Sequence, residues 1–66
     1  MTIVLNGKEH ALEPGATVRD LLQALGRDRD GIAVAVDLRV VPRSAHASTV
    51  LATGARVDVI QAVGGG

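Results

Sequence analysis

The chain has 66 residues, seven basic and seven acidic side chains, 47% hydrophobic residues, and no Cys, Phe, Tyr or Trp. A chain this short makes one domain that buries only about 60% of its unfolded surface, so an all-aliphatic core gives it marginal stability. Disulfides, thiolate metal ligands and a thiol nucleophile are excluded. Balanced, scattered charges without aromatics remove both usual signatures of nucleic-acid binding.

Thr2 to Leu5 is rich in β-branched residues and runs into Asn6-Gly7, a strong two-residue hairpin signal because both central turn positions need positive φ. A second strand is expected over residues 8–12, ended by a Pro14-Gly15 turn. Thr17 and Asp20 then have the spacing of a helix start, with a hydroxyl to accept an orphan backbone N–H and a carboxylate favoured by the helix dipole. Val18, Leu21, Leu22 and Leu25 follow at i, i+3, i+4 and i+7, one apolar stripe, and Gly26 supplies the stop. The spacing predicts a helix over residues 18–25 that lies on a sheet.

Ile32-Ala33-Val34-Ala35-Val36 alternates large and small side chains, as a strand does when one face meets a helix and the other is shallow. It is the longest apolar run and far too short to cross a bilayer. Asp37 marks a turn, residues 38–41 form a short returning strand, and Pro42 ends it. Residues 43–48 have no convincing period, and Thr53-Gly54 offers a further turn. The last strand is expected over residues 56–62, with Val57 and Val59 on one face and Asp58, Ile60 and Ala62 on the other. Two strands, one helix and three more strands make an α+β layer arrangement.

After this strand the chain ends in Gly64-Gly65-Gly66. At a background Gly usage of about 7%, three in a row at one chosen place arise by chance roughly once in 3,000 sequences. If the last strand lies in the middle of the sheet beside the first, the tail is a flexible arm on a rigid mount. The division expected is therefore a folded domain over residues 1–63 and a flexible C-terminal tail over 64–66.

The element order resembles the ubiquitin-like β-grasp fold, with a mixed sheet and one main helix on one face. In detail, the first hairpin, "GATVRDLLQALG", "AVAVD", "VVPRS" and above all "VDVIQAVGGG" resemble the ThiS family, the bacterial sulfur carriers of thiamine thiazole biosynthesis. The resemblance covers essentially the whole chain. It implies that the carboxylate of Gly66 is adenylated by an activating enzyme using ATP and converted to a thiocarboxylate with sulfur from a cysteine desulfurase. Thiazole synthase then takes the sulfur. Gly64 and Gly65 thread the tail into the partner's channel. Family members commonly carry an acidic residue and Trp after the "VPRS" segment, where this chain has Ala45 and His46. Molybdopterin-type and other thiolation carriers share the tail, and a non-conjugating β-grasp binding module is the alternative from another class.

Elementary chemistry agrees with the carrier reading. A terminal carboxyl with a pKa of about 3.3 to 3.7 is ionised at cellular pH and ready to attack a phosphate. Ordering a tail costs about 1 to 2 kcal/mol per residue, so a partner must also grip the body. Ile60 and Ala62, on the face away from the helix, are the candidate grip. With one reactive carboxylate and no acid–base partner, the chain is expected to act as a co-substrate, not an enzyme, and to need no cofactor or metal. His10 and His46 have no companions at ligand spacing and read as surface or packing residues. Ser44, Ser48 and Thr49 lack a positioned acid and oxyanion hole. Asp28 and Asp30 alternate with Arg27 and Arg29 as a solvated charge cluster, and Arg43 reads as a solvated charge holding its loop. The N-terminus has no charged region followed by a long apolar run, so a cytoplasmic location without a membrane partner is expected.

Overall fold

A computed structural model describes residues 1–61. In chain order it contains β1 (Thr2–Leu5), β2 (Lys8–Ala11), α1 (Val18–Ala24), β3 (Ile32–Val36), β4 (Arg39–Val41), a 3₁₀ turn at Arg43–Ala45, and β5 (Arg56–Gln61). The strands form one sheet in the order β2-β1-β5-β3-β4. β1 and β5 are parallel, and the other neighbouring pairs are antiparallel. The last strand therefore does lie between the first strand and β3, at the centre of a mixed sheet.

Local chemistry explains each element. Asn6 and Gly7 take φ values of +49° and +82°, the two positive values that a type I′ hairpin needs, and hold Val4 opposite Glu9 and Leu5 opposite Lys8. The second strand stops at Ala11, one residue earlier than expected. Leu12 N–H nevertheless still donates to Met1 C=O at 2.8 Å.

α1 begins with the expected capping box, in which Asp20 N–H donates to Thr17 Oγ1 (3.2 Å) and Thr17 N–H donates to Asp20 Oδ2 (2.9 Å). It ends at Ala24 with Leu25 as its cap, and Gly26 follows at φ +70°. Gly26 N–H donates to Gln23 C=O (3.1 Å) and Arg27 N–H to Leu22 C=O (2.8 Å), the two bonds of a Schellman ending that only a residue tolerant of positive φ completes cheaply.

The stripe read from the sequence is the contact face. Val18, Leu21 and Leu22 are buried and Leu25 packs half-buried at their edge, against Ile3, Val34, Val57 and Val59 from the sheet. Each such burial stabilises by about 1.5–3 kcal/mol. Leu51 and Ala55 complete the core.

Leu51 comes from the stretch without a readable period, and its place there has a clear cause. Residues 43–51 wrap the start of α1: Val18 N–H donates to Thr49 C=O (3.0 Å), Arg19 N–H to His46 C=O (3.0 Å), and Leu51 N–H to Ala16 C=O (2.8 Å). The unpartnered N–H groups of the first helical turn are thereby satisfied by a loop, not by water. His46 is 5% exposed, and its Nε2 lies 3.1 Å from Val41 C=O. It is the packing residue of the two expected alternatives.

Candidate functional site

β5 divides the molecule into two faces. Val57 and Val59 point into the core, while Arg56, Asp58 and Ile60 point to the face without a helix, as the alternation requires. On that face Ile60 sits opposite Ala33, and Asp58 sits opposite Ala35, which in turn sits opposite Val40 of β4. Ile60 is 60% exposed and Val40 78% exposed. Two bulky apolar side chains thus flank a floor of two alanines. The charged neighbours are already engaged, since Arg56 Nε lies 3.2 Å from Asp58 Oδ2.

Leu38, 71% exposed, stands at the β3–β4 turn beside this face with φ +69°. Its predecessor Asp37 has φ +49°, so the turn has the type I′ geometry of the first hairpin without a glycine. Here the structure differs from the expected strand over residues 38–41. Leu38 belongs to the turn, and pairing starts at Arg39.

Of the residues singled out in the sequence, Ile60 is where the pattern put it, exposed on the central strand. Ala62, Gly64, Gly65 and Gly66 lie outside the described residues. His10 is half-buried on β2. Among the described residues, no group of three His, Asp or Glu side chains is placed to hold a metal ion. Arg43 pairs with Asp30 at 3.2 Å, and Arg19 with Asp28 at 3.5 Å. The charge cluster of residues 27–30 is therefore tied to α1 and to the loop after β4, with Arg43 holding the loop as expected. Among the described residues no helix is long and apolar enough to cross a membrane.

Sequence reasoning missed one residue beside the end of β5. Asn6, read only as a turn former, also reaches across to β5. Val59 N–H donates to its Oδ1 at 2.8 Å, and its Nδ2 donates to Val59 C=O at 3.3 Å. A turn signal fixes backbone conformation but says nothing of where the side chain points.

A five-stranded mixed sheet, one helix across it, and a central last strand leading toward a glycine run define a ubiquitin-like β-grasp domain. Solved structures agree: the crystal structure of the thiamine biosynthesis protein (ThiS) from Geobacter metallireducens matches all of this chain and all of its own, with a TM-score of 0.85 and 28% identity. The family model named ThiS family matches residues 3–66. This chain belongs to the ThiS family.

Among curated relatives, the sulfur carrier protein ThiS of Escherichia coli is 30% identical over 66 residues, covering the whole of both chains. Thiazole synthases of Paramagnetospirillum magneticum and Magnetococcus marinus are 35% and 36% identical over this whole chain. The chain spans only 20% of the length of each.

Proposed function

We propose that this chain is a sulfur carrier of thiamine biosynthesis, and that its reactive group is the carboxylate of Gly66. The observation that carries the reading is the family match itself, which extends through the glycine run to residue 66 and is not confined to the folded body. Three of the relatives reported above are named for thiamine or thiazole synthesis, which puts thiazole formation ahead of molybdopterin-type thiolation.

The chemistry proposed is a two-step activation. The ionised carboxylate attacks the α-phosphate of ATP on an activating enzyme, pyrophosphate leaves, and a mixed anhydride with AMP forms. The terminal sulfur of a persulfide formed by a cysteine desulfurase then attacks the acyl carbon and displaces AMP. A second thiol reduces the resulting acyl disulfide, ending as a disulfide itself and leaving a thiocarboxylate, which thiazole synthase consumes. The chain acts as a co-substrate throughout. Gly64 and Gly65 have no Cβ, so their backbone can pass through a narrow channel in conformations that other residues resist. That two polypeptides named thiazole synthase each contain a stretch like this entire chain supports thiazole synthase as the recipient.

Intact-protein mass spectrometry tests the reading. After incubation with ATP, the activating enzyme, a cysteine desulfurase and cysteine, the expected result is the mass gain of one oxygen replaced by sulfur, abolished when Gly66 is deleted. No gain with partners proven active on another carrier overturns it and leaves a β-grasp binding module with an inert tail.

A further inference from the structure

β1 gives out before β5 does. Leu5, opposite Val57, is the last β1 residue paired with β5, after which the chain turns away through Asn6 and Gly7 into β2. β5 runs on to Gln61. Along a strand the backbone groups alternate sides, so Val57, Val59 and Gln61 turn theirs toward the place β1 would occupy. Asn6 N–H donates to Val57 C=O at 2.9 Å and closes the regular ladder.

The Asn6 side chain then adds a rung. A carboxamide offers one acceptor oxygen and an N–H donor, the same pair that a peptide unit offers. Its Oδ1 accepts from Val59 N–H and its Nδ2 donates to Val59 C=O, so both backbone groups of that residue are satisfied by a strand that has already ended. Both bonds are partly buried and join positions 53 residues apart in the chain. The turn does not require this. Glycine at position 6 adopts φ +49° readily and would leave Val59 unsupported on that side.

We infer that Asn6 is a positioning residue for the carrier reaction proposed above, on which this role rests. Its carboxamide fixes the last stretch of β5 and so sets the point from which the chain beyond Gln61 is offered to the activating enzyme. Without it, the end of β5 is held by β3 alone, through the hydrogen-bonded pair Ile60–Ala33. Strand ends held on one side open locally at low cost. A partner that binds the formed end then sees only the fraction of carriers in which it is formed, and the apparent affinity falls by that fraction.

The test compares Asn6→Gly, Asn6→Asp and Ile3→Val in the full chain. In Asn6→Gly, amide exchange at Val59 and Ile60 is expected to approach the unprotected rate, while helical amides such as Leu22 change much less. If the end of β5 is then formed in only about one carrier in ten, the KM for the carrier in enzyme-catalysed ATP–pyrophosphate exchange rises about tenfold with kcat unchanged. Asn6→Asp, which still accepts from Val59 N–H but cannot donate to its carbonyl, falls between the two. Ile3→Val weakens the core without touching the carboxamide and leaves KM unchanged at a temperature where it is folded. An Asn6→Gly KM within twofold of wild type, or an equal rise in Ile3→Val, overturns the positioning role alone. A wild-type chain that partners proven on another carrier fail to activate overturns the carrier reading and this role together, even if exchange at Val59 still responds.

Discussion

A hydroxyl and a carboxylate three residues apart fix where α1 begins, and their chemistry makes that start sensitive to acid. Thr17 N–H and then the Thr17 side chain stabilise the charged form of Asp20 and, against an opposing desolvation and with the Arg19 guanidinium adding least, hold its carboxyl below the usual value of 3.8. A carboxyl depressed by folding contributes stability that is fully present above the unfolded value and is lost as pH falls through the lower, folded one. The melting temperature of wild type is therefore expected to fall faster than that of Asp20→Asn as pH is taken from 6 to below 3.8. If the two curves stay parallel in a thermal melt series, the capping role of the charge is wrong. At neutral pH, Thr17→Ala removes the other half of the box and costs about 1 kcal/mol. This cap was legible in the sequence because it depends on spacing alone. Asn6 and His46 were not, because their partners, Val59 and Val41, are set by the tertiary fold and not by neighbours in the pattern.

Among the elements, the two hairpins use the same turn with different residues. The first places Asn and Gly at the positive-φ positions, and the second places Asp37 and Leu38 there. That difference is why the first turn could be read from the sequence to the residue while the second was read one residue short, with Leu38 assigned to the strand. A left-handed conformation costs a non-glycine residue about 1–2 kcal/mol, and a side chain that is 71% exposed recovers little of it by burial. Leu38→Gly is expected to raise stability by about 1 kcal/mol, after the extra unfolded-state freedom of Gly is subtracted. Urea denaturation measures this directly, and an unchanged or lower midpoint means that the Leu38 side chain makes a stabilising contact. α1 and the central strands were legible for the opposite reason, since their stripes at helical and strand spacing coincide with the buried face. The wrap of residues 43–51 around the helix start carries Leu51 into the core, yet it offers no period because its backbone serves the helix caps.

For the molecule as a whole, a single helix on one side of the sheet leaves the other side with its apolar residues in solvent, and Ile60 is the exposed one nearest the tail along β5. An isolated exposed Ile is ordinary. Under the proposed carrier function this one differs by position, since a partner that orders the residues beyond β5 at about 1 to 2 kcal/mol each needs compensating contact close by. Ile60→Asp puts a charge on that contact while staying outside the core formed by Val57 and Val59. Its cost to folding is up to about 1 kcal/mol, from the poor strand preference of Asp. Activation by the partner enzyme is expected to fall at least about tenfold, as when a well-packed apolar contact is lost from an interface. Ile60→Thr keeps the branched side chain that strands favour and should lose much less. Because Arg56 and Asp58 already pair with each other, a grip through Ile60 would be apolar, and the wild-type activation rate should vary little with salt over a range that screens charged encounters. Should Ile60→Asp be activated as fast as wild type, the body of the carrier is held elsewhere. A steep fall in rate with salt would point to the charged rim of the domain, where Lys8 and Arg27 stand, in place of the open sheet face.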